Sequence, residues 1–178
     1  MRILIAYATT EGQTRKICRF LSDRLVDAGH SVELLHVEDA GPLDAARFDA
    51  AILAASVHAW HVQPAFIAFA KANATALAGL RTLYLQVSLG AVGNDPEERA
   101  DLDKIAAEMV EKSGWTPGRT AHVAGALRFD AYDFLKAWVM RRIARDHDMP
   151  FDPKGTTEFT DWAALEALAD EWAGGATG

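Results

Sequence analysis

The sequence predicts a doubly wound α/β fold: a five-stranded parallel sheet in the order 2-1-3-4-5, with helices on both faces. Three observations predict it. Short apolar, β-rich runs alternate with segments of helical periodicity along most of the chain. The run AAILAAS at 50–56 has no polar residue before Ser56, as a strand covered on both faces requires. Five strand candidates suit this order better than the six-stranded dinucleotide-binding arrangement.

The elements follow in order. RILIAY at 2–7 is the first strand, and after the loop Ala8 to Gly12 comes a helix carrying Ile17, Leu21 and Leu25 on one stripe. Cys18 beside that stripe reads as a small buried residue. Gly29 ends the helix, and SVELLHV at 31–37 is an edge strand because Ser31, Glu33 and His36 interrupt its apolar positions. AAILAAS is the central third strand. Residues 61–75 read as a helix with Phe66 and Phe69, LRTLYLQVS at 80–88 as the fourth strand, and RTAHVAGAL at 119–127 as the fifth. Between the last two lies an acidic segment, 93–113, with seven acids against three basic residues and a helical latter part. A helix is expected over 132–146 and another in TDWAALEALADEWA, with Thr160 as its N-cap. One domain is expected over 1–174, followed by a frayed tail at 175–178.

Composition narrows the function. The 178 residues are 50% hydrophobic and 24% charged, with a single cysteine and a formal charge of −7. One cysteine forms no internal disulfide, no Cys/His cluster has metal-ligand spacing, and net negative charge disfavours nucleic acid as a partner. The first apolar run is too short for a signal peptide, and no run approaches the length of about 18 residues that a membrane span needs. A cytoplasmic protein is expected. A homo-oligomer is compatible with the composition.

In such a sheet the ligand lies beyond the carboxyl ends of the strands, near the switch between strands 1 and 3. The first loop there, Ala8 to Thr14, brings hydroxyls and backbone N–H groups to a helix N-terminus, which favours a phosphate. It has neither the lysine of a nucleotide-binding P-loop nor a G-x-G-x-x-G pattern, so a terminal phosphate monoester such as that of FMN fits better than ATP or NAD. On the loop alone, Thr9 and Thr10 as simple helix caps is an equal reading. A phospho-receiver domain would need acids at the end of strand 1, where Tyr7, Ala8 and Thr9 stand. The second loop, Ala55 to His61, places Trp60 to stack on a ring, and His58 or His61 to donate to a flavin or substrate oxygen. The third, Ser88 to Asn94, has small residues that let backbone N–H groups approach a ring edge.

Four segments together, TTEGQTRKI, AASVHAWHVQPAFIAFAKAN, SGWTPGRTAHVAGALRF and FTDW, resemble in order and spacing the flavodoxin-like, menaquinone-dependent protoporphyrinogen IX dehydrogenases of bacterial haem synthesis. The resemblance covers nearly the whole chain. It implies FMN as cofactor, oxidation of protoporphyrinogen IX to protoporphyrin IX, and a respiratory quinone as acceptor. It also implies a phosphate site at Thr9, Thr10, Glu11, Gly12, Gln13 and Thr14. The isoalloxazine would lie between Ser56, Val57, His58, Ala59 and Trp60 on one side and Ser88, Leu89, Gly90, Ala91 and Val92 on the other. Many flavodoxins carry a hydroxyl residue where Glu11 stands, so Glu11 is expected to contribute its backbone N–H and turn its carboxylate away. Residues 91–104 are acidic where a family member carries a basic insertion.

The third loop brings no aromatic residue to cover the outer flavin face, which favours an enzyme that accepts hydride over a one-electron shuttle. A flavodoxin-type electron carrier and an FMN-dependent quinone reductase are the alternatives. Leu135, Trp138, Val139 and Ile143 share one stripe in 132–145, with Lys136, Arg141, Arg142 and Arg145 elsewhere. Such a helix can lie peripherally on the inner face of the cell membrane, although packing on the sheet with a solvated basic face is the simpler reading.

Overall fold

The structure, a computed structural model, describes residues 1–93, 95–128 and 156–175. Its main sheet contains five parallel strands: β1 (Arg2–Ala8), β2 (Ser31–His36), β3 (Ala50–His58), β5 (Arg81–Ser88) and β6 (Arg119–Ala124). They pair in the order β2-β1-β3-β5-β6, which is the expected 2-1-3-4-5 when only these five are counted. The two-residue strand β4 (His61–Val62) folds back antiparallel on the end of β3.

The central strands are largely apolar because they feed two cores, although β5 also buries Thr82 and Gln86. Ile3, Ile5 and Tyr7 of β1 face helix α1 (Gln13–Asp27) and helix α5 (Trp162–Gly174), where they meet Ile17, Leu21, Leu165 and Trp172. Leu4, Ala6 and Ala8 face the opposite layer, α2 (Pro64–Ala72), α3 (Ala74–Ala78) and α4 (Pro96–Ser113), with Phe66, Phe69, Met109 and Trp115. The β3 run 50–55 is fully buried, as its uninterrupted apolarity predicts. Cys18 is buried in the first core, and burial pushes its thiol well above the usual range.

Five boundaries differ from the expectation, each for a visible reason. The expected helix over 61–75 begins only at Pro64, because His61 and Val62 pair with His58 and Val57. Asn73 then separates α2 from α3, its amide donating to the Phe69 carbonyl while its oxygen accepts the Leu43 N–H. The helix of the acidic segment occupies nearly all of it. Asp95 caps the Glu97 and Glu98 N–H groups, Pro96 takes the first helical position, and the early acids face the positive end of the helix.

The expected strand 119–127 divides at Gly125. That glycine donates to the Ser88 carbonyl and its own carbonyl accepts the Phe159 N–H, so the chain leaves β5. It continues as β7 (Ala126–Arg128), antiparallel to β8 (Thr156–Glu158). Finally, Asp161 rather than Thr160 caps α5, accepting the Ala164 N–H at 2.9 Å. The expected helix at 132–146 and most of the expected frayed tail lie outside the described residues. Among the described residues no helix is long and apolar enough to cross a membrane.

Candidate functional site

The carboxyl ends of β1, β3, β5 and β6 surround a cavity of about 260 Å³ at the switch between β1 and β3. Its first wall is the loop after β1. Gly12 caps α1 with φ at 93°, a left-handed conformation that a side chain would strain, and its N–H donates to Thr9 Oγ1 at 3.0 Å. Thr9, Thr10, Glu11, Gln13 and Thr14 line the cavity beside it. Thr14 is fully buried, and its hydroxyl has no partner among the described residues. Among the described residues Glu11 is the one carboxylate on the lining, and no lysine or arginine reaches it. Among the described residues, hydroxyls and helix N–H groups are what an anion here would meet.

The second wall is the β3–β4 hairpin. Its two-residue turn, Ala59–Trp60, has φ of 48° and 68°, the geometry of a type I′ turn without the usual Asn-Gly. The turn aims Trp60, 57% exposed, at the cavity mouth, with Ser56, Val57, His58 and Ala59 on the lining behind it. Among the described residues Trp60 is the one large aromatic side chain on the lining. His61 faces the other way, toward Ile105, Glu108 and Lys112 of α4 in a separate small cavity.

Ser88, Leu89 and Gly90 form the third wall, and the Ser88 hydroxyl is buried without a partner among the described residues. Ala91 and Val92 lie beyond the lining, as does Gly12. A side chain at Gly90 would meet Leu102 of α4 at 3.5 Å, and Leu102 itself closes the floor.

Sequence reasoning missed two parts of the site. Gly125 and Ala126 provide a fourth wall, where a Cβ on Gly125 would come within 3.3 Å of Val87. Gln63, just before α2, donates through its side-chain amide to Thr10 Oγ1 at 3.2 Å and to Ser56 Oγ, tying the first wall to the second. The signals were a glycine inside an apparent strand and a polar residue before a proline.

The first wall is braced from behind. Gln13 Nε2 donates to Glu158 Oε2 at 3.1 Å and to Thr160 Oγ1 at 2.9 Å, while Thr160 donates to the Ala124 carbonyl at 2.7 Å. Lys16 and Trp162 Nε1 also reach the Glu158 carboxylate, at 2.5 and 2.8 Å. Burial works to raise the Glu158 carboxyl, but Lys16, Trp162 and Gln13 together outweigh it and hold the group below the usual carboxylate range.

A hydroxyl-lined cleft at the switch point of a 2-1-3-4-5 sheet defines a flavodoxin-like α/β protein. The chain belongs to the flavodoxin domain family, which residues 4–154 match. It is 29% identical over 172 residues to the protoporphyrinogen IX dehydrogenase (quinone) of Escherichia coli strain K12, covering 96% of this chain and 94% of that protein. A protein of the same name from Leishmania major is 25% identical over 173 residues, covering 97% of this chain and 74% of the other. These relatives bear out the resemblance seen in the four sequence segments.

Solved flavodoxins share the fold. A flavodoxin of Streptococcus pneumoniae superposes with a TM-score of 0.60 at 17% identity, covering 98% of this chain and 99% of its own. Flavodoxin 1 of Bacillus cereus gives 0.59 at 13% identity over 98% of both chains.

Proposed function

We propose that this protein is an FMN-dependent oxidoreductase that oxidises protoporphyrinogen IX to protoporphyrin IX, with a quinone as acceptor. The observation that carries the reading is the likeness, over 96% of the chain, to a protein of that activity. The cavity supports its flavin part. The buried hydroxyls of Thr14 and Ser88 stand on different walls, and among the described residues each lacks a hydrogen-bonding partner that a phosphate oxygen or a ring edge would supply. The residues present therefore fit FMN.

In this reading Thr9, Thr10 and Thr14 hold the phosphate together with the first N–H groups of α1. Ser56 to Trp60 and Ser88 to Gly90 bound the ring. FMN, when bound, supplies the hydride and electron chemistry; the protein supplies orientation and a dry, shaped pocket. Hydrogen leaves the porphyrinogen and ends on the quinone. In this reading Trp60 at the open mouth offers a flat apolar surface to the flavin ring or the tetrapyrrole, and His58, which lines the cavity behind it, donates to a flavin or substrate oxygen.

The test is an FMN titration of the apoprotein, followed by protoporphyrinogen IX and a soluble quinone while porphyrin fluorescence is recorded against the spontaneous rate. Porphyrin formation that requires the protein, FMN and the quinone is the expected result. Tight FMN binding without it would overturn the substrate and leave a quinone reductase or an electron carrier.

A further inference from the structure

The hydroxyls around the first wall share a polarity. Thr9 Oγ1 accepts the Gly12 N–H at 3.0 Å. Thr10 Oγ1 accepts one N–H of the Gln63 amide at 3.2 Å, and Ser56 Oγ accepts from the same nitrogen. A hydroxyl whose acceptor side is engaged by an N–H keeps its proton for another partner. Neither the Thr10 nor the Ser56 hydroxyl donates to a protein acceptor among the described residues, and both line the cavity. Their free protons can therefore serve a ligand. A phosphate has only acceptors to offer, whereas an alcohol can donate as readily as accept, so a wall of oriented donors discriminates between the two.

We propose that Gln63 is a positioning residue for phosphate selectivity: its amide engages Thr10 from behind and commits that hydroxyl to donate to the phosphate, while Ser56 Oγ, beside the ring, accepts from the same nitrogen. The inference rests on the FMN reading and adds to it the residue that makes the cavity prefer FMN over the same flavin without its phosphate. Gln63 does this from outside the lining, so its role is indirect. Its side chain makes no capping bond to α2, and Pro64 fixes the start of that helix, so substitutions at 63 leave the fold intact.

The experiment titrates wild type, Gln63→Met and Gln63→Glu with FMN and, separately, with riboflavin, following the quenching of flavin fluorescence. Methionine keeps the length and removes the donors; glutamate presents acceptors that turn the hydroxyl protons away from the cavity. The expected preference for FMN over riboflavin falls about tenfold in Gln63→Met and about a hundredfold in Gln63→Glu, while riboflavin affinity stays within about twofold. Parallel losses for both flavins would make Gln63 a purely structural residue and overturn the proposal. So would an unchanged preference, or a wild type that binds both flavins equally. A wild type that binds neither flavin would overturn the FMN reading itself, and this proposal with it.

Discussion

Replacing Ala59 by glycine should stabilise the protein although it removes a side chain and adds no contact. Ala59 and Trp60 sit at φ of 48° and 68°, where a Cβ crowds the backbone at a cost of roughly 1–2 kcal/mol per residue. Glycine relieves that cost at position 59 and gives back roughly 0.5–1 kcal/mol through the greater freedom of the unfolded chain. Ala59 is exposed, so no buried packing is lost. The net gain expected for Ala59→Gly is about 1 kcal/mol, or an increase in Tm of about 2–4 °C for a chain of this size.

The assay is thermal and urea unfolding of Ala59→Gly beside Ala100→Gly, a control in the exposed face of α4. Helical backbone at position 100 makes glycine destabilising there by about 1 kcal/mol. The two substitutions, identical in chemistry, should therefore move stability in opposite directions. A loss of stability in Ala59→Gly comparable to that in the control would refute the left-handed turn and the strain ascribed to it.

Three further outcomes follow from the site. Thr14→Val removes a buried hydroxyl that has no partner among the described residues, so the apoprotein should melt at the same temperature or slightly higher while FMN affinity falls about tenfold, as read by paired melting and fluorescence titrations. Glu158→Gln tests a carboxyl held below its usual range. Stability from such a group is present above the ordinary carboxylate pKa and is lost as pH falls through the depressed folded value, so the variant should show a flatter stability curve between about pH 5 and 3 in urea titrations. Wild-type and variant curves of equal slope would discount the brace. His58→Ala should slow porphyrin formation by about a hundredfold with little change in FMN affinity, whereas His61→Ala, which faces α4, should stay within about twofold of wild type. Unchanged turnover in His58→Ala would remove that side chain from the mechanism.

Much of the fold was legible because burial on both faces leaves a plain mark: 50–55 has no polar residue, and the central strand is where the structure has it. The three loops were legible for a related reason, since the strand order alone brings Thr9, Ser56 and Ser88 to one end of the sheet. What was not legible depends on pairings between residues far apart in sequence. Gly125 reads as part of a strand until Phe159 claims its carbonyl. Gln63 reads as a helix residue until Val62 is seen to pair with Val57, and the separate orientations of His58 and His61 follow from that same hairpin. The Asp95-Pro96 start of α4 was a local signal in plain view, within the part of the acidic segment not expected to be helical.

The brace behind the first wall has a consequence for the order in which the protein becomes competent. Gln13 meets Glu158 and Thr160 across 145 and 147 residues of chain, among the longest-range contacts in the molecule. During synthesis the loop that begins the cavity emerges early, yet the brace on Gln13 forms only when the segment 156–162 has followed and docked. The nascent sheet can assemble strand by strand before then. The brace is thus completed only after the last part of the sheet's covering layer has been made, and an incompletely made chain would carry the loop without it.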